Sequence, residues 1–166
     1  LHRIWPGIQI VYFEDWKELT RSFWEEYIKN LSDHIVLDPK DAFEINYIGA
    51  GGPPIETEDG WLLIYHGVQE TTTGRTYHAK AALLDRDNPQ VEISRLSTPL
   101  FSPSEKWEKE GVVNNVVFPS GHAVFEGELV HEYIGDICHF DVIDIESELS
   151  IYSANTGSLK IDCIWN

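Results

Sequence analysis

A histidine, a tyrosine and an arginine are the residues whose types and spacing could do chemistry together. His66 ends the apolar run WLLIYH, and Tyr77 opens the next apolar segment eleven residues later. If the two runs pair as a β-hairpin, His66 and Tyr77 face each other near its loop end. With Arg3 they would supply hydrogen-bond donors suited to an oxyanion such as phosphate. The alternative is that His66 bonds nearby backbone and Tyr77 only packs.

Other kinds of catalytic site are not indicated by the sequence. It has no nucleophile elbow, no P-loop and no HExxH-type metal pattern, so we expect no metal and no bound cofactor. The two cysteines, Cys138 and Cys163, lack CxxC spacing. Two free thiols are a simpler interpretation than a disulfide between them.

Composition limits the partners and the compartment. The 166 residues carry a formal net charge of -16, which argues against nucleic acid as a partner. No apolar run is long enough to span a bilayer, and residues 1–15 do not resemble a signal peptide, so we expect a cytoplasmic protein without membrane contact. The net negative charge repels anions, so any anion-binding site needs positively charged side chains close to the ligand.

The elements that must position these residues are mostly short strands. Residues 7–13 predict a strand, and apolar residues at helical spacing predict a helix over residues 16–30, with Asp15 at its start. Further strands are predicted at 61–65, 77–85, 91–95, 112–118, 122–125, 128–134 and 140–145. Residues 67–76 are predicted to be a hairpin loop, and residues 119–121 a turn. Several strands are apolar on both faces, which is typical of stacked antiparallel sheets or propeller blades. The predicted fold class is therefore all-β, with one helix.

Five segments also carry a resemblance to a known family. They are LHR at 1–3, PGIQIVYFED at 6–15, IGAGGPPIETEDGWLLIYHGV at 48–68, YHAKAALLDRDNP at 77–89 and VVNNVVFPSG at 112–121. In this order and at this spacing they resemble the β-mannoside phosphorylases and related mannosidases of glycoside hydrolase family 130.

The resemblance implies a fold and a missing part. The family fold is a five-bladed antiparallel β-propeller with its site at the central axis. Residues 1–153 would then be about three blades from the C-terminal part, and residues 154–166 a terminal strand or tail. The chain starts at Leu1 and contains no methionine, and the family's general-acid motif and first phosphate-binding arginine precede LHR. We therefore expect no catalytic residue in this segment, no turnover by the chain alone, and self-association or an N-terminal complement.

The resemblance also implies site residues. Arg3, His66 and Tyr77 match phosphate contacts of the family. Tyr47 stands where many phosphorylases have a lysine, so one cationic contact is lost. Phe118 matches an aromatic residue that lines the sugar site. The final family motif is altered here to EYIGDICHFD, in which Asp136 is the substitute for an aspartate that binds sugar hydroxyls.

The implied reaction is phosphorolysis of β-mannosyl oligosaccharides, with inorganic phosphate as co-substrate. Phosphate attacks the anomeric carbon and gives mannose 1-phosphate with inversion, so only one protein carboxyl group is needed. One alternative is a β-mannosidase that uses water, which Tyr47 favours. Another is a non-catalytic fragment or sugar-binding piece, because the acid is absent.

Overall fold

The computed structural model describes residues 1–125, 128–134 and 138–144. Strands are the main regular structure among these residues, and every pairing between strands is antiparallel. The described strands are β1 (Ile8–Gln9), β2 (Ile35–Leu37), β3 (Tyr47–Ala50), β4 (Ile55–Thr57), β5 (Gly60–Thr71), β6 (Gly74–Leu84), β7 (Glu92–Arg95), β8 (Phe118–Phe125), β9 (Glu128–Ile134) and β10 (Cys138–Asp144). The prediction of a mainly antiparallel β protein is confirmed.

The described strands form three sheets. β1 pairs with β2, the central sheet has the order β3–β5–β6–β7 with β4 also pairing with β5, and the third has the order β10–β9–β8. The described residues do not close into a barrel or a propeller, so the count of three blades stays a prediction.

The β5–β6 hairpin is longer than predicted. Its register runs from Trp61 opposite Leu84 to Thr71 opposite Gly74, so residues predicted to form a loop at 67–76 are mostly paired strand. Gly74 has φ +124°, a conformation that side chains disfavour, and this permits a two-residue turn. The Thr71 hydroxyl donates to the Gly74 carbonyl at 2.6 Å and closes the turn.

The predicted helix over residues 16–30 is wrong in extent. The structure has a 3-10 turn at Trp16–Glu18, capped by Asp15, and a separate helix α1 at Arg21–Lys29. Thr20 separates them because its backbone is extended and its hydroxyl accepts from the Phe23 amide at 3.2 Å. Thr20 thereby acts as the N-cap of α1. A short helix α2 at Lys106–Lys109 was not predicted.

Two strand predictions fail for local reasons. The strand predicted at 7–13 is reduced to Ile8–Gln9. Of the strand predicted at 112–118, only Phe118 lies in a strand. It begins β8, which includes the strand predicted at 122–125 and whose pairing with β9 shifts register between Pro119 and Gly121. A bulge there accommodates a proline that has no amide to donate, so the strand continues where a turn was expected.

The central sheet is covered on both faces, as its apolar strands predict. Alternate residues of β5 and β6 point to opposite sides. One face contributes to a buried cluster of Ile8, Val36, Leu37, Ile48, Leu63, Tyr65, Ala82 and Leu84. The other contributes to a smaller cluster of Leu62, Ala81, Leu83 and Leu96.

A buried ion cluster supports the loop that leads into β3. Glu44 and Lys80 are both fully buried, and the Lys80 ammonium lies 2.9 Å from Glu44 Oε1 and also pairs with Asp41. Tyr65 donates to Glu44 Oε1 at 2.5 Å, and Arg95 Nη1 lies 2.9 Å from Glu44 Oε2. Burial alone would raise the pKa of Glu44, but these hydrogen bonds and charges outweigh it and lower the pKa. Glu44 therefore stays ionised at the centre of the cluster, three residues before β3 begins.

Candidate active site

A cleft of about 570 Å³ opens where β3, β5 and β6 meet the segments before β1 and before β8. Its lining is Leu1, His2, Arg3, Tyr47, Gly49, Ala50, Gly51, His66, Tyr77, Val112, Val113, Val116 and Phe118. None of these residues is acidic, although the chain contains 28 aspartates and glutamates. The structure thus brings Arg3, His66, Tyr77 and Phe118 to one place.

His66 lies at the floor of the cleft and is only 3% exposed. Its ring packs on Phe118, with ring centroids 4.2 Å apart. Its Nδ1 atom is buried with no hydrogen-bond partner among the described residues. Burial, and then the nearby charge of Arg3, lower the pKa of His66 to about 3. His66 is therefore a neutral imidazole at neutral pH.

Gly49 makes room for this imidazole. Gly49 is opposite His66 in the β3–β5 pairing. A Cβ atom on Gly49 would lie 2.5 Å from His66 Cε1, 2.7 Å from His66 Nε2 and 3.3 Å from Arg3 Cδ. The absence of a side chain at this position therefore lets Arg3 and His66 come together.

Tyr77 stands on the same face of the hairpin as His66, but it is offset along the strands. His66 is opposite Ala79, and Tyr77 is opposite Val68, so the two residues are diagonal neighbours with ring centroids 6.0 Å apart. The predicted loop at 67–76 is centred between residues 71 and 72, which would place His66 opposite Tyr77. The observed turn is centred between residues 72 and 73, so His66 pairs with Ala79 instead. The Tyr77 hydroxyl lies 2.7 Å from the Tyr47 hydroxyl.

Arg3 supplies the positive charge of the cleft. Its guanidinium carbon lies 4.7 Å from the centroid of the Tyr47 ring, within range of a cation–π interaction. The side chain is exposed, so a ligand can reach it. In the described part of the chain it forms no ion pair with a carboxylate. An unpaired cation in an acidic chain, beside neutral hydrogen-bond donors, suits an anionic ligand.

Sequence patterns missed some of the cleft, and one predicted site residue falls outside the described part of the chain. Val112 and Val113 were predicted in a strand but line the wall of the cleft, outside any strand. Both valines are exposed at the edge of the cleft, 97% for Val112 and 57% for Val113, and apolar residues before NNVVF fitted a strand equally well. Asp136 is outside the described residues, so its predicted contact with sugar stays a prediction.

In the residues that the structure describes, no group of three or more histidine, cysteine, aspartate or glutamate side chains could hold a metal ion. Among those same residues, no helix is both long enough and apolar enough to cross a membrane.

The fold and the cleft define an antiparallel β protein with a concave, cation-bearing ligand site. A sequence model of glycoside hydrolase family 130, described as beta-1,4-mannooligosaccharide phosphorylase, matches residues 20–138. The chain belongs to this family.

Characterised relatives are much longer than the chain. A 1,2-beta-oligomannan phosphorylase of Thermoanaerobacter sp. is 38% identical over 137 residues, which cover 81% of this chain and 41% of the relative. A beta-1,4-mannooligosaccharide phosphorylase of Ruminococcus albus is 45% identical over 84 residues, which cover 51% of this chain and 25% of the relative. The chain thus spans less than half the length of these relatives.

Solved structures of similar proteins agree with the fold. The beta-1,2-mannobiose phosphorylase of Listeria innocua, in complex with beta-1,2-mannobiose, superposes with a TM-score of 0.60 at 30% identity, covering 68% of this chain and 32% of that one. Another structure comes from work on members of the family that are glycoside hydrolases targeting beta-1,2 mannosidic linkages in Candida mannan. It superposes with a TM-score of 0.62 at 25% identity, covering 69% of this chain and 34% of that one.

Proposed function

We propose that the chain supplies the phosphate-binding side of a site that cleaves β-mannosides by phosphorolysis. The observation that carries the proposal is the cleft itself. Arg3, a neutral His66 and the Tyr47–Tyr77 hydroxyl pair converge there, and among the described lining residues none is acidic. Relatives named as phosphorylases of 1,2- and 1,4-linked mannosides support the same reaction class.

Each residue has a distinct part in holding phosphate. Arg3 neutralises charge on the phosphate oxygens and gives hydrogen bonds with fixed geometry. We assign the proton of His66 to Nε2, because Nδ1 is buried without an acceptor. His66 then donates as a neutral group. One tyrosine of the Tyr47–Tyr77 pair donates to the other, which leaves one hydroxyl proton for the ligand.

The bonds that change are few. A phosphate oxygen forms a bond to the anomeric carbon as the bond from that carbon to the leaving oxygen breaks. The leaving oxygen takes a proton from a carboxylic acid, which the family resemblance places before Arg3 in the chain. The product is mannose 1-phosphate with inverted configuration. The described residues of the cleft contribute orientation and charge stabilisation to this step.

The sugar would lie beside the aromatic wall of the cleft. Phe118 packs against His66 and borders the phosphate-binding groups, so it can contact the apolar face of a mannosyl ring. Asp136 is proposed as a second sugar contact on the strength of the resemblance alone. The partial propeller of about three blades belongs to the same proposal, and three antiparallel sheets support it.

A second candidate function is hydrolysis of the same bonds. It is favoured by Tyr47, since a tyrosine supplies no positive charge where many phosphorylases have a lysine. The structural neighbour from work on family hydrolases that target beta-1,2 mannosidic linkages gives this candidate a precedent.

One experiment separates these functions. The protein expressed from its own gene is incubated with β-1,2- and β-1,4-mannobiose, with and without phosphate, and the products are followed by ³¹P and ¹H NMR. Mannose 1-phosphate that forms only with phosphate supports phosphorolysis. Free mannose at the same rate in both buffers identifies a hydrolase. No product, together with no binding of phosphate, contradicts the proposal.

A further inference from the structure

The backbone on both sides of Arg3 is held by a single residue, Gln9. The Gln9 amide donates to the His2 carbonyl at 2.9 Å, and the His2 amide donates to the Gln9 carbonyl at 3.0 Å. The Gln9 side chain then reaches past Arg3. Its Oε1 accepts from the Ile4 amide at 2.6 Å, and its Nε2 donates to the Ile4 carbonyl at 2.9 Å. Four hydrogen bonds from one residue therefore fix both neighbours of Arg3.

Gln9 is itself fixed by the core. It is 2% exposed, and it follows Ile8, which is fully buried in the larger apolar cluster. Ile8 pairs with Leu37 across the β1–β2 sheet. The same segment is joined to β3, since the Ile48 amide donates to the Pro6 carbonyl at 3.0 Å. The segment that carries Arg3 is thus fixed relative to β3, the strand that carries Tyr47 and Gly49.

The Arg3 side chain needs such support. In the described part of the chain it forms no ion pair, and its recorded partner is the face of the Tyr47 ring. An exposed arginine held only by a ring face would sample many rotamers, and ordering it costs binding free energy when a ligand arrives. A fixed backbone reduces that cost by limiting where the guanidinium can go.

We propose that Gln9 is a positioning residue for the phosphate site, acting through Arg3. It holds the 2–4 segment so that the guanidinium stays over Tyr47 and beside His66 before phosphate binds. This inference rests on the function proposed above, in which Arg3 contacts phosphate.

The chemistry of the amide gives a specific test. A glutamine side chain offers a donor and an acceptor together, which the Ile4 carbonyl and amide both require. Leucine offers neither. An ionised glutamate offers acceptors only and faces the Ile4 carbonyl with negative charge, whereas a protonated glutamate again offers one donor and one acceptor.

The experiment measures phosphate affinity by ³¹P NMR titration of the protein expressed from its own gene, with mannobiose affinity and thermal unfolding measured in parallel. We expect Gln9→Leu to weaken phosphate binding about tenfold and to leave mannobiose binding within about twofold. The phosphate affinity of Gln9→Glu should be weaker than that of the wild type at pH 8, and the difference should shrink as the pH falls. If Gln9→Leu does not fold, the pH series of Gln9→Glu decides.

Gln90→Leu is the matched control. The Gln90 side-chain amide also donates to backbone carbonyls of a neighbouring segment, those of Asp33 and Ile35, but it does not line the cleft. It should lose stability without losing phosphate affinity.

A double-mutant cycle separates positioning from general damage. If Gln9 acts through Arg3, then Arg3→Ala with Gln9→Leu should bind phosphate as weakly as Arg3→Ala alone. Additive losses, or equal losses for phosphate and mannobiose, would overturn the inference. A wild-type protein that binds no phosphate would instead overturn the proposed function, so the two failures can be told apart.

Discussion

The hydroxyl oxygens of Tyr47 and Tyr77 lie 2.7 Å apart at the side of the cleft. Their rings meet edge to face, with an interplanar angle of 77°. Burial and the hydrogen bond with Tyr77 raise the pKa of Tyr47, so this phenol keeps its proton at neutral pH. The pair is therefore an uncharged donor where a lysine would be a cation. This difference bears directly on whether phosphate or water is the nucleophile.

Replacing Tyr47 by lysine tests that difference. We expect Tyr47→Lys to tighten phosphate binding about tenfold, because a hydrogen bond from a charged group is stronger than one from a neutral group. The ratio of mannose 1-phosphate to free mannose should rise as well. Tyr12→Lys is the matched control, since it makes the same change of charge at an exposed residue beside α1. Equal effects of the two changes would show that overall charge, and not the cleft, is responsible.

Gly49→Ala should weaken ligand binding in the cleft, and the protein should still fold. The added Cβ would lie 2.5 Å from the His66 ring and 3.3 Å from Arg3 Cδ, so one of these side chains must move. We expect phosphate affinity to fall at least tenfold, measured by titration. Gly74→Ala is a useful contrast: its Cβ would meet nothing within 4 Å, but φ is +124°. That variant should lose about 1 kcal/mol of stability and keep phosphate affinity. Unchanged phosphate binding by Gly49→Ala would show that the close approach of Gly49 to His66 and Arg3 is not needed for phosphate binding.

The stability of the protein should depend on pH through His66. Its pKa is lowered from 6.5 to about 3 in the folded state, so the unfolded chain binds the proton more readily. The free energy of unfolding must then fall as the pH is lowered from about 6.5 toward 3. At 1.36 kcal/mol per pH unit, the full shift sets an upper limit of about 5 kcal/mol on this loss.

His66→Gln isolates this contribution, because the amide does not titrate. Urea unfolding at pH 7.5, 6 and 5 should show a shallower loss of stability in His66→Gln than in the wild type. Other groups also lose protons or gain them over this range, so the comparison is between the two slopes. Identical slopes would mean that His66 is not buried as described.

The hairpin and its contents were the most predictable part of the molecule. The apolar runs WLLIY and HAKAALL predicted two paired strands, and the pairing predicted for His66 and Tyr77 put both residues on one face. The outer half of the hairpin was missed because its threonines and glycines favour turns as well as strands. The two-residue turn, which depends on the positive φ of Gly74, lets these residues pair as strands.

Residues distant in the sequence could not be placed by local patterns. Arg3 lies in a segment that is hydrogen-bonded to Gln9 and β3, and no local pattern places that segment beside the hairpin. The ion cluster was also missed. Lys80 inside an apolar run was a signal that a buried acidic partner exists, but nothing in the local pattern singled out Glu44.

Breaking that ion cluster should be costly. Glu44→Gln leaves Lys80 and Arg95 buried with less compensating charge, and loss of one partner of a buried pair typically costs about 3–5 kcal/mol. We expect about 3 kcal/mol by urea unfolding, because Asp41 and Glu92 still pair with the two cations. A change below 1 kcal/mol would show that the cluster is dispensable.

The control for this variant is an ion pair on the surface. Glu25 pairs with Arg21 at 2.7 Å along α1, where both side chains are mostly exposed. Glu25→Gln should have little effect on unfolding, since solvent screens such pairs. Adding Lys80→Met to Glu44→Gln should cost less than the sum of the single changes, because the two residues share one interaction.

The two-residue turn of the β5–β6 hairpin has a consequence for the order of folding. All eleven residue pairs of this hairpin lie within residues 61–84, so their contacts need only short loops to close. Hairpins of this kind form within about 1–10 μs, whereas contacts between distant segments follow later. We therefore expect His66 and Tyr77 to reach a common face early, with Tyr65 and Lys80 on the opposite face. Arg3 and Phe118 should reach the cleft only when the flanking segments dock. We therefore expect the cleft to be completed late in folding, after its hairpin has formed.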